Sequence, residues 1–378
     1  MSAKIRIGVI FGGRSAEHEV SLVSALSVIN ALDKEKYEVI PIGIAPDGRW
    51  LSAPNAVQLL KEHHPSAHLP EKILLPDPSR RALVSLSSGA ASADTIDVIF
   101  PLVHGTFGED GTLQGLLELA DLPYVGPGVL GSAAGMDKVV AKQLFMQEGI
   151  PVAPYVAFLS SEFSASRKKI LATLEKKLRY PMFVKPANLG SSVGISKAHN
   201  RKELLPAIEL AMQYDRKILV EKSIESAAGG AREIELAVLG NDDPKASVPG
   251  EIVPSNEFYD YDAKYVDGKS ETVIPAKLPA AVSKLLRQLA VRGFKALDLS
   301  GMARVDFLVT RKTNKIYINE VNTIPGFTSI SMYPKLWAAT GVPFPALLDR
   351  LVQLALERHA AKSKLKTAYQ PKKDWYKE

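Results

Sequence analysis

The chain has 378 residues, too many for one compact core, and 46% of them are apolar against 23% charged, as in an ordinary globular protein of two or three domains. It has no cysteine, which excludes disulfides, thiol nucleophiles and cysteine zinc sites and fits a reducing compartment. Its formal charge is +6, but residues 361–378 hold six lysines and two acidic groups and so supply +4 of it; the rest lacks the basic–aromatic interleaving of a nucleic-acid binder.

The opening MSAKIRIGVIF is too briefly apolar for a signal peptide, and no run of about 18 apolar residues follows, so a cytoplasmic protein with no membrane partner is expected. The run from Ile5 to Phe11 predicts a buried strand, Gly12-Gly13-Arg14-Ser15 a turn, and the pattern to Leu32 a helix. A second strand, Tyr37 to Ile44, follows at once. This order argues for a parallel α/β sheet. Residues 77–95 read as a loop-heavy excursion, and Asp97 to Val103 as a buried strand before a Gly-rich turn. A helix from Met136 carries Lys138 and Lys142 and closes at Gly149-Ile150-Pro151. Strand-like segments at 183–187 and 218–223 flank another Gly-rich turn and a helix, and the small residues 226–231 mark a loop or a join. Alternation from Glu233 to Leu239, a helix at 279–297, a hairpin at 302–321 and a helical end at 343–360 complete the body. The expected divisions are 1–135, 136–226 and 227–360, followed by a solvated basic tail at 361–378.

The most explicit chemistry lies in the segment 301–322, GMARVDFLVTRKTNKIYINEVN. Alternation along a strand puts Arg304 and Asp306 on one face, and Glu320 and Asn322 on one face. Pairing Asp306 with Glu320 sets Arg304 opposite Asn322 and centres an odd-length turn on Thr313. Val305, Phe307, Val309, Tyr317 and Val321 then fill the opposite, core-facing side. Two carboxylates and an amide oxygen are hard ligands suited to Mg²⁺ shared with phosphates. The competing reading is a plain salt-bridge cluster on a solvated sheet.

No G-x-x-x-x-G-K-[ST] loop exists, so phosphate must be held elsewhere. The candidate is KPANLGSSVG, 185–194, where a strand delivers Lys185 and a Gly/Ser turn offers N–H groups and the Ser191 and Ser192 hydroxyls to an anion. A simple strand–turn–strand is the alternative. At the first turn Glu17 opens a helix, which helix-dipole complementation alone would explain. His104, flanked by a buried strand and glycines, is a stronger candidate than His63, His64 or His68, with a structural role as its alternative.

Taken in order, FGGRSAEHEVS (11–21), PLVHGTFGEDGTLQG (101–115), GPGVLGSAAGMDK (126–138), KPANLGSSVG (185–194), FYDYDAKY (258–265) and RVDF with NEVNTIPGFTSISMYP (304–334) resemble the D-alanine–D-alanine ligases, over about residues 5 to 350. The resemblance implies a three-domain α/β ATP-grasp fold with an N-terminal Rossmann-like parallel sheet. It implies cofactors ATP and two Mg²⁺ ions, with Mn²⁺ as an alternative, and a homodimer acting on two D-alanines. Position by position, it makes Glu17 the carboxylate that holds the first D-alanine's ammonium, in a trio with Ser191 and Tyr265. Lys138, Lys185 and Lys264 are implied at the ATP phosphates, with Ser192 beside them. Glu221, Lys222 and Ile224 are implied on the strand that reads adenine, Glu233 at the ribose and Phe258 beside adenine. Asp306, Glu320 and Asn322 become the metal ligands, and Arg304 with the Gly326 N–H an oxyanion site. Ser331 and Met332 grip the second D-alanine's carboxylate, and His104 lies on the substrate side. Asn188 and Leu189 depart from the charged residues often found in relatives. Two rivals stand beside this reading: a D-alanine–D-lactate ligase, which Tyr265 disfavours, and a dinucleotide-binding Rossmann protein, which the missing G-x-G-x-x-G disfavours.

Overall fold

A computed structural model of the chain describes residues 3–62, 70–85, 93–224, 230–253 and 271–369. The expected sites at Phe258, Lys264 and Tyr265, the histidines 63, 64 and 68, and most of the stretch 226–231 lie outside the described residues.

The chain begins with β1 (Ile5–Gly12), α1 (His18–Ala31), β2 (Tyr37–Ile44), β3 (Trp50–Leu51) and α2 (Ala56–Lys61). It continues through β4 (Lys72–Leu74), β5 (Ala82–Ser85), β6 (Ala93–Thr95), β7 (Val98–Pro101), α3 (Thr112–Leu119), α4 (Val129–Met136) and α5 (Lys138–Gln147). The sheet order is β3-β2-β1-β7, and β1 runs parallel to both β2 and β7. Ile7, Val9, Phe100 and Ile99 are fully buried, so both faces of these strands are covered, as a parallel sheet requires. Of the stretch 77–95, expected to be loop-heavy, the described residues 82–85 and 93–95 form strands. Within it β5 pairs with β4 and β6 in a small antiparallel sheet, because Ala82 and Leu83 supply the apolar contacts that serine and proline do not.

The middle of the chain holds β8 (Tyr155–Leu159), α6 (Ser160–Lys177), β9 (Met182–Pro186), β10 (Ser196–Ala198), α7 (Arg201–Ala211) and β11 (Lys217–Lys222), paired antiparallel in the order β10-β9-β11-β8. Next come β12 (Ala231–Gly240), β13 (Lys245–Ala246), β14 (Gly250–Val253), β15 (Glu271–Val273), α8 (Ala280–Ala296), β16 (Gly301–Thr310), β17 (Ile316–Asn322), α9 (Met332–Ala339) and α10 (Phe344–Lys362). The third sheet runs β15-β14-β12-β16-β17, with β13 on β12.

Two features place the site. The turn after β1 is tight: Gly12 has φ +84°, and a Cβ there would lie 2.2 Å from the Ile44 carbonyl oxygen, so only glycine fits. The loop after β17 packs back on the first sheet, with Phe327 edge-on to Phe100 at 5.7 Å between ring centres. The C-terminal ends of the parallel strands, the usual ligand edge of such sheets, therefore face the third sheet's hairpin.

Candidate active site

The β16–β17 register pairs Arg304 with Asn322, Val305 with Val321 and Asp306 with Glu320. Beyond Asp306 it shifts, so that Phe307 faces Ile318 and Asn319 is the extra residue of a bulge. A one-residue slip exchanges the faces of all that follow. Ile316 and Ile318 therefore join the core, while Tyr317, expected there, stands opposite Leu308 and is half-buried. The tip is Arg311 to Asn314, an even loop closed by Thr310 N–H donating to Lys315 O at 2.9 Å, rather than the odd turn centred on Thr313.

On the site face, Arg304 donates through Nε and Nη2 to both oxygens of Asp306, at 2.8 and 2.7 Å, and lies 3.0 Å from Glu235. Burial alone would lower the guanidinium pKa, but the carboxylates of Asp306 and Glu235 outweigh it and raise it. Asn322 donates its amide to Asp306 at 2.9 Å, and Lys138 stands 3.5 Å from Glu320 while donating to the Leu189 carbonyl at 2.8 Å. The facing carboxylates of Asp306 and Glu320 are hard oxygen donors of the kind a divalent ion takes, and here they pair with Arg304 and Lys138. Among the described residues no cluster of three or more His, Asp or Glu side chains gathers, so an ion here would complete its shell with phosphate oxygens and water.

Behind the hairpin lies a buried charge network. Glu221 receives Lys142 Nζ and Lys185 Nζ, each at 2.6 Å. Lys142, 1% exposed, also donates to the Asn319 carbonyl at 3.1 Å, and Lys185 reaches Asn319 Oδ1 at 3.4 Å. The bulge residue is thus the second polar partner of both lysines. Burial pushes the Glu221 carboxyl up, but the two ammonium groups win and hold it down to about 2.

The third part comes from the loops that end the parallel strands. Ser191 donates to Glu17, which caps α1 but makes no side-chain cap bond to it. Ser191 and Ser192 both have left-handed backbones, φ 49° and 59°, a strained geometry of the kind found at ligand clamps. His104 donates from Nδ1 to the Ile324 carbonyl at 2.9 Å and accepts from Ser24 Oγ at 3.1 Å. Burial lowers its pKa, so the imidazole is a neutral strut with both nitrogens engaged. Glu109 accepts the Gly105 and Ile324 N–H groups, each at 2.8 Å. Segment 104–109 therefore holds both the N–H and the carbonyl of Ile324, two residues before Gly326. Ser331 Oγ accepts the Thr328 N–H at 3.0 Å.

These groups line two adjoining cavities. The first is walled by Glu17, His104, Lys138, Ser191, Gly326, Ser331 and Met332; the second by Phe183, Lys185, Glu221, Lys222, Ile224, Glu233, Asp306 and Leu308. Ser192, Ile195, Glu235, Arg304 and Glu320 border both, so the hairpin's charged face is the party wall.

Models of the D-ala D-ala ligase N-terminus and C-terminus match residues 6–127 and 144–353. The D-alanine–D-alanine ligase of Chloroherpeton thalassium is 55% identical over 368 residues, covering 94% of this chain and 98% of that one. The chain belongs to the D-alanine–D-alanine ligase family. The ligase of Natranaerobius thermophilus is 50% identical over 97% of this chain and 99% of its own. Among solved structures, the D-alanine-D-alanine ligase from Coxiella burnetii superposes with a TM-score of 0.82 at 39% identity, covering 96% of each chain. VanG D-Ala:D-Ser ligase from Enterococcus faecalis superposes with 0.82 at 38%, covering 93% of this chain and 100% of its own. The fold is thus that of the ATP-grasp ligases, with the parallel sheet at its N-terminus.

Three residues that this family member places at the site were not singled out from the sequence. Glu109 sits in the FGEDG turn, where glycines signalled a loop but not the direction of the carboxylate. Glu235 lies two residues after Glu233 on an alternating strand, and that spacing alone could have found it. Asn319 had no such signal, because only the bulge turns it toward the lysines.

Proposed function

We propose that the chain uses ATP and Mg²⁺ to join two D-alanines into D-alanyl-D-alanine for peptidoglycan precursors, in the cytoplasm. The observation that carries this reading is the pair of cavities meeting at Arg304 and Glu320. One is built for a nucleotide, with a strand edge at Glu221, Lys222 and Ile224. The other is suited to zwitterions, with both carboxylates and cations among its lining residues. A γ-phosphate at the party wall would be within reach of an amino-acid carboxylate.

In the first step the donor carboxylate attacks the γ-phosphorus, and ADP departs with the bridging oxygen. Glu17, steadied by Ser191 and in the proposed trio with Tyr265, holds the donor's ammonium. Lys138 and Lys185, with Lys264, neutralise phosphate oxygens, and Ser192 donates a hydrogen bond to them. Glu233 takes the ribose and Phe258 the adenine, whose edge meets the backbone of β11, because the Glu221 carboxylate is committed to its lysines. The acceptor ammonium gives one proton to water, the free amine attacks the acyl carbon, and phosphate leaves from the tetrahedral intermediate as the nitrogen gives up its second proton to the departing phosphate. Arg304 and the Gly326 N–H stabilise the oxyanion, Ser331 and Met332 hold the acceptor's carboxylate, and His104 keeps the Gly326 loop in place. Asp306, Glu320 and Asn322 would hold the metal, as two ions, which would supply charge neutralisation on the transferring phosphate.

The reading divides the chain at 1–135, 136–226 and 227–360, with a tail at 361–378. It also makes the protein a homodimer, supported by the exposed Leu119, Val129 and Leu130 on the adjoining α3 and α4. Phosphate release with D-alanine, D-lactate or D-serine as acceptor tests the function. D-alanine is expected to be preferred at neutral pH, and preference for either alternative overturns the reading.

A further inference from the structure

Charge balance in the first cavity singles out a residue that the mechanism above does not use. Each substrate there is a zwitterion, so each brings a carboxylate as well as an ammonium. Of the cations on its wall, Arg304 is tied to Asp306 and Glu235, and Lys138 to Glu320 and the Leu189 carbonyl. The remaining one, Lys335, pairs with no carboxylate among the described residues.

Its position follows from the helix. Ser331 is the N-cap of α9, and Lys335 lies four residues on, hence on the same face one turn along. Helical side chains lean toward the N-terminus, so the Lys335 stem is directed back over Ser331. Ile252, Met332 and Ile330 line the same cavity as Lys335, and apolar neighbours strengthen a charge pair formed there.

We propose that Lys335 receives the carboxylate of the second D-alanine and sets the preference for an acceptor that carries a carboxylate. Ser331 and the α9 N-terminus supply neutral donors to that carboxylate, and Lys335 supplies the compensating charge. The same contact holds the product, whose free carboxylate is the acceptor's own. The inference rests on reading the first cavity as the amino-acid site.

The test is Lys335→Met in the full chain with saturating ATP and Mg²⁺, since methionine keeps the stem and removes only the charge. Loss of a charge-assisted hydrogen bond predicts an acceptor KM raised about tenfold, with kcat and the KM for ATP unchanged. The preference for D-alanine over D-alaninamide, an acceptor that lacks the carboxylate, should fall by a similar factor, and Lys335→Arg should restore it. An acceptor KM and amide discrimination matching the unsubstituted protein overturn the assignment of Lys335. Absence of ADP formation with D-alanine in the unsubstituted protein would instead overturn the functional reading beneath it.

Discussion

Replacing Glu221 with glutamine tests whether the buried ion network holds the nucleotide side of the site together. The substitution keeps the shape and removes the charge between two lysines, of which Lys142 is 1% and Lys185 9% exposed. At an effective dielectric of about 20, each ammonium–carboxylate contact is worth roughly 4 kcal/mol gross, less desolvation and the repulsion between the lysines. Leaving two buried cations without their anion is expected to cost about 3–5 kcal/mol. Linkage gives a similar figure. The Glu221 pKa is depressed from 4.5 to about 2, which converts to roughly 3 kcal/mol of stability. A depressed carboxyl stabilises above its unfolded pKa, so this contribution is present at neutral pH and fades as pH falls from 4.5 through about 2. Thermal unfolding should show a much lower midpoint for Glu221→Gln at pH 7, with the gap to the unsubstituted protein closing in acid. The double variant Glu221→Gln/Lys142→Met removes the second buried charge and should recover more than half of the loss. A cost under about 1 kcal/mol, or a double variant no better than the single one, refutes the network as the source of rigidity.

Glu320→Ala is expected to abolish Mg²⁺-dependent ADP formation while circular dichroism and the melting midpoint persist, because Glu320 is half-buried at a cavity wall; retained activity removes it from the metal site. Gly190→Ala would place a methyl 2.5 Å from Glu17 Oε2, forcing that carboxylate away from Ser191. A misplaced donor site predicts roughly a hundredfold loss of kcat/KM, and an unchanged value excludes the Glu17–Ser191 contact from substrate positioning. Burial, and then Glu17, push the Glu109 carboxyl up to about 7. A raised carboxyl contributes stability below its unfolded pKa of 4.5 that is lost as pH rises through about 7. The unsubstituted protein should therefore lose melting temperature relative to Glu109→Gln across that window, and parallel pH profiles contradict the shift.

How far the sequence carried these conclusions depended on whether each feature is local. β2 was legible to the residue, Tyr37–Ile44, because aromatic and β-branched residues recur along it at strand spacing, directly after the helix that ends near Leu32. Alternation gave the facing pairs Arg304–Asn322 and Asp306–Glu320, since side-chain period is a property of the strand itself. The bulge at Asn319 was not legible. Its reason is the pair of lysines from α5 and β9, 177 and 134 residues away, which take the freed carbonyl and amide oxygens. The same holds for Glu109, whose oxygens are claimed by Gly105 beside it and by Ile324, 215 residues on.

Those long-range contacts also explain why the site is assembled from conflicting local choices. A bulge, two left-handed serines and three buried ions each cost stability where they stand. Asn319, Ser191 and Glu221 are each held by partners from other elements: Asn319 by Lys142 and Lys185, Ser191 by Glu17, and Glu221 by Lys142 of α5 and Lys185 of β9. Removing any one partner therefore releases strain on two elements at once. That is why the charged wall between the cavities should respond to substitution as a unit, with coupled rather than additive losses across Lys142, Lys185 and Glu221.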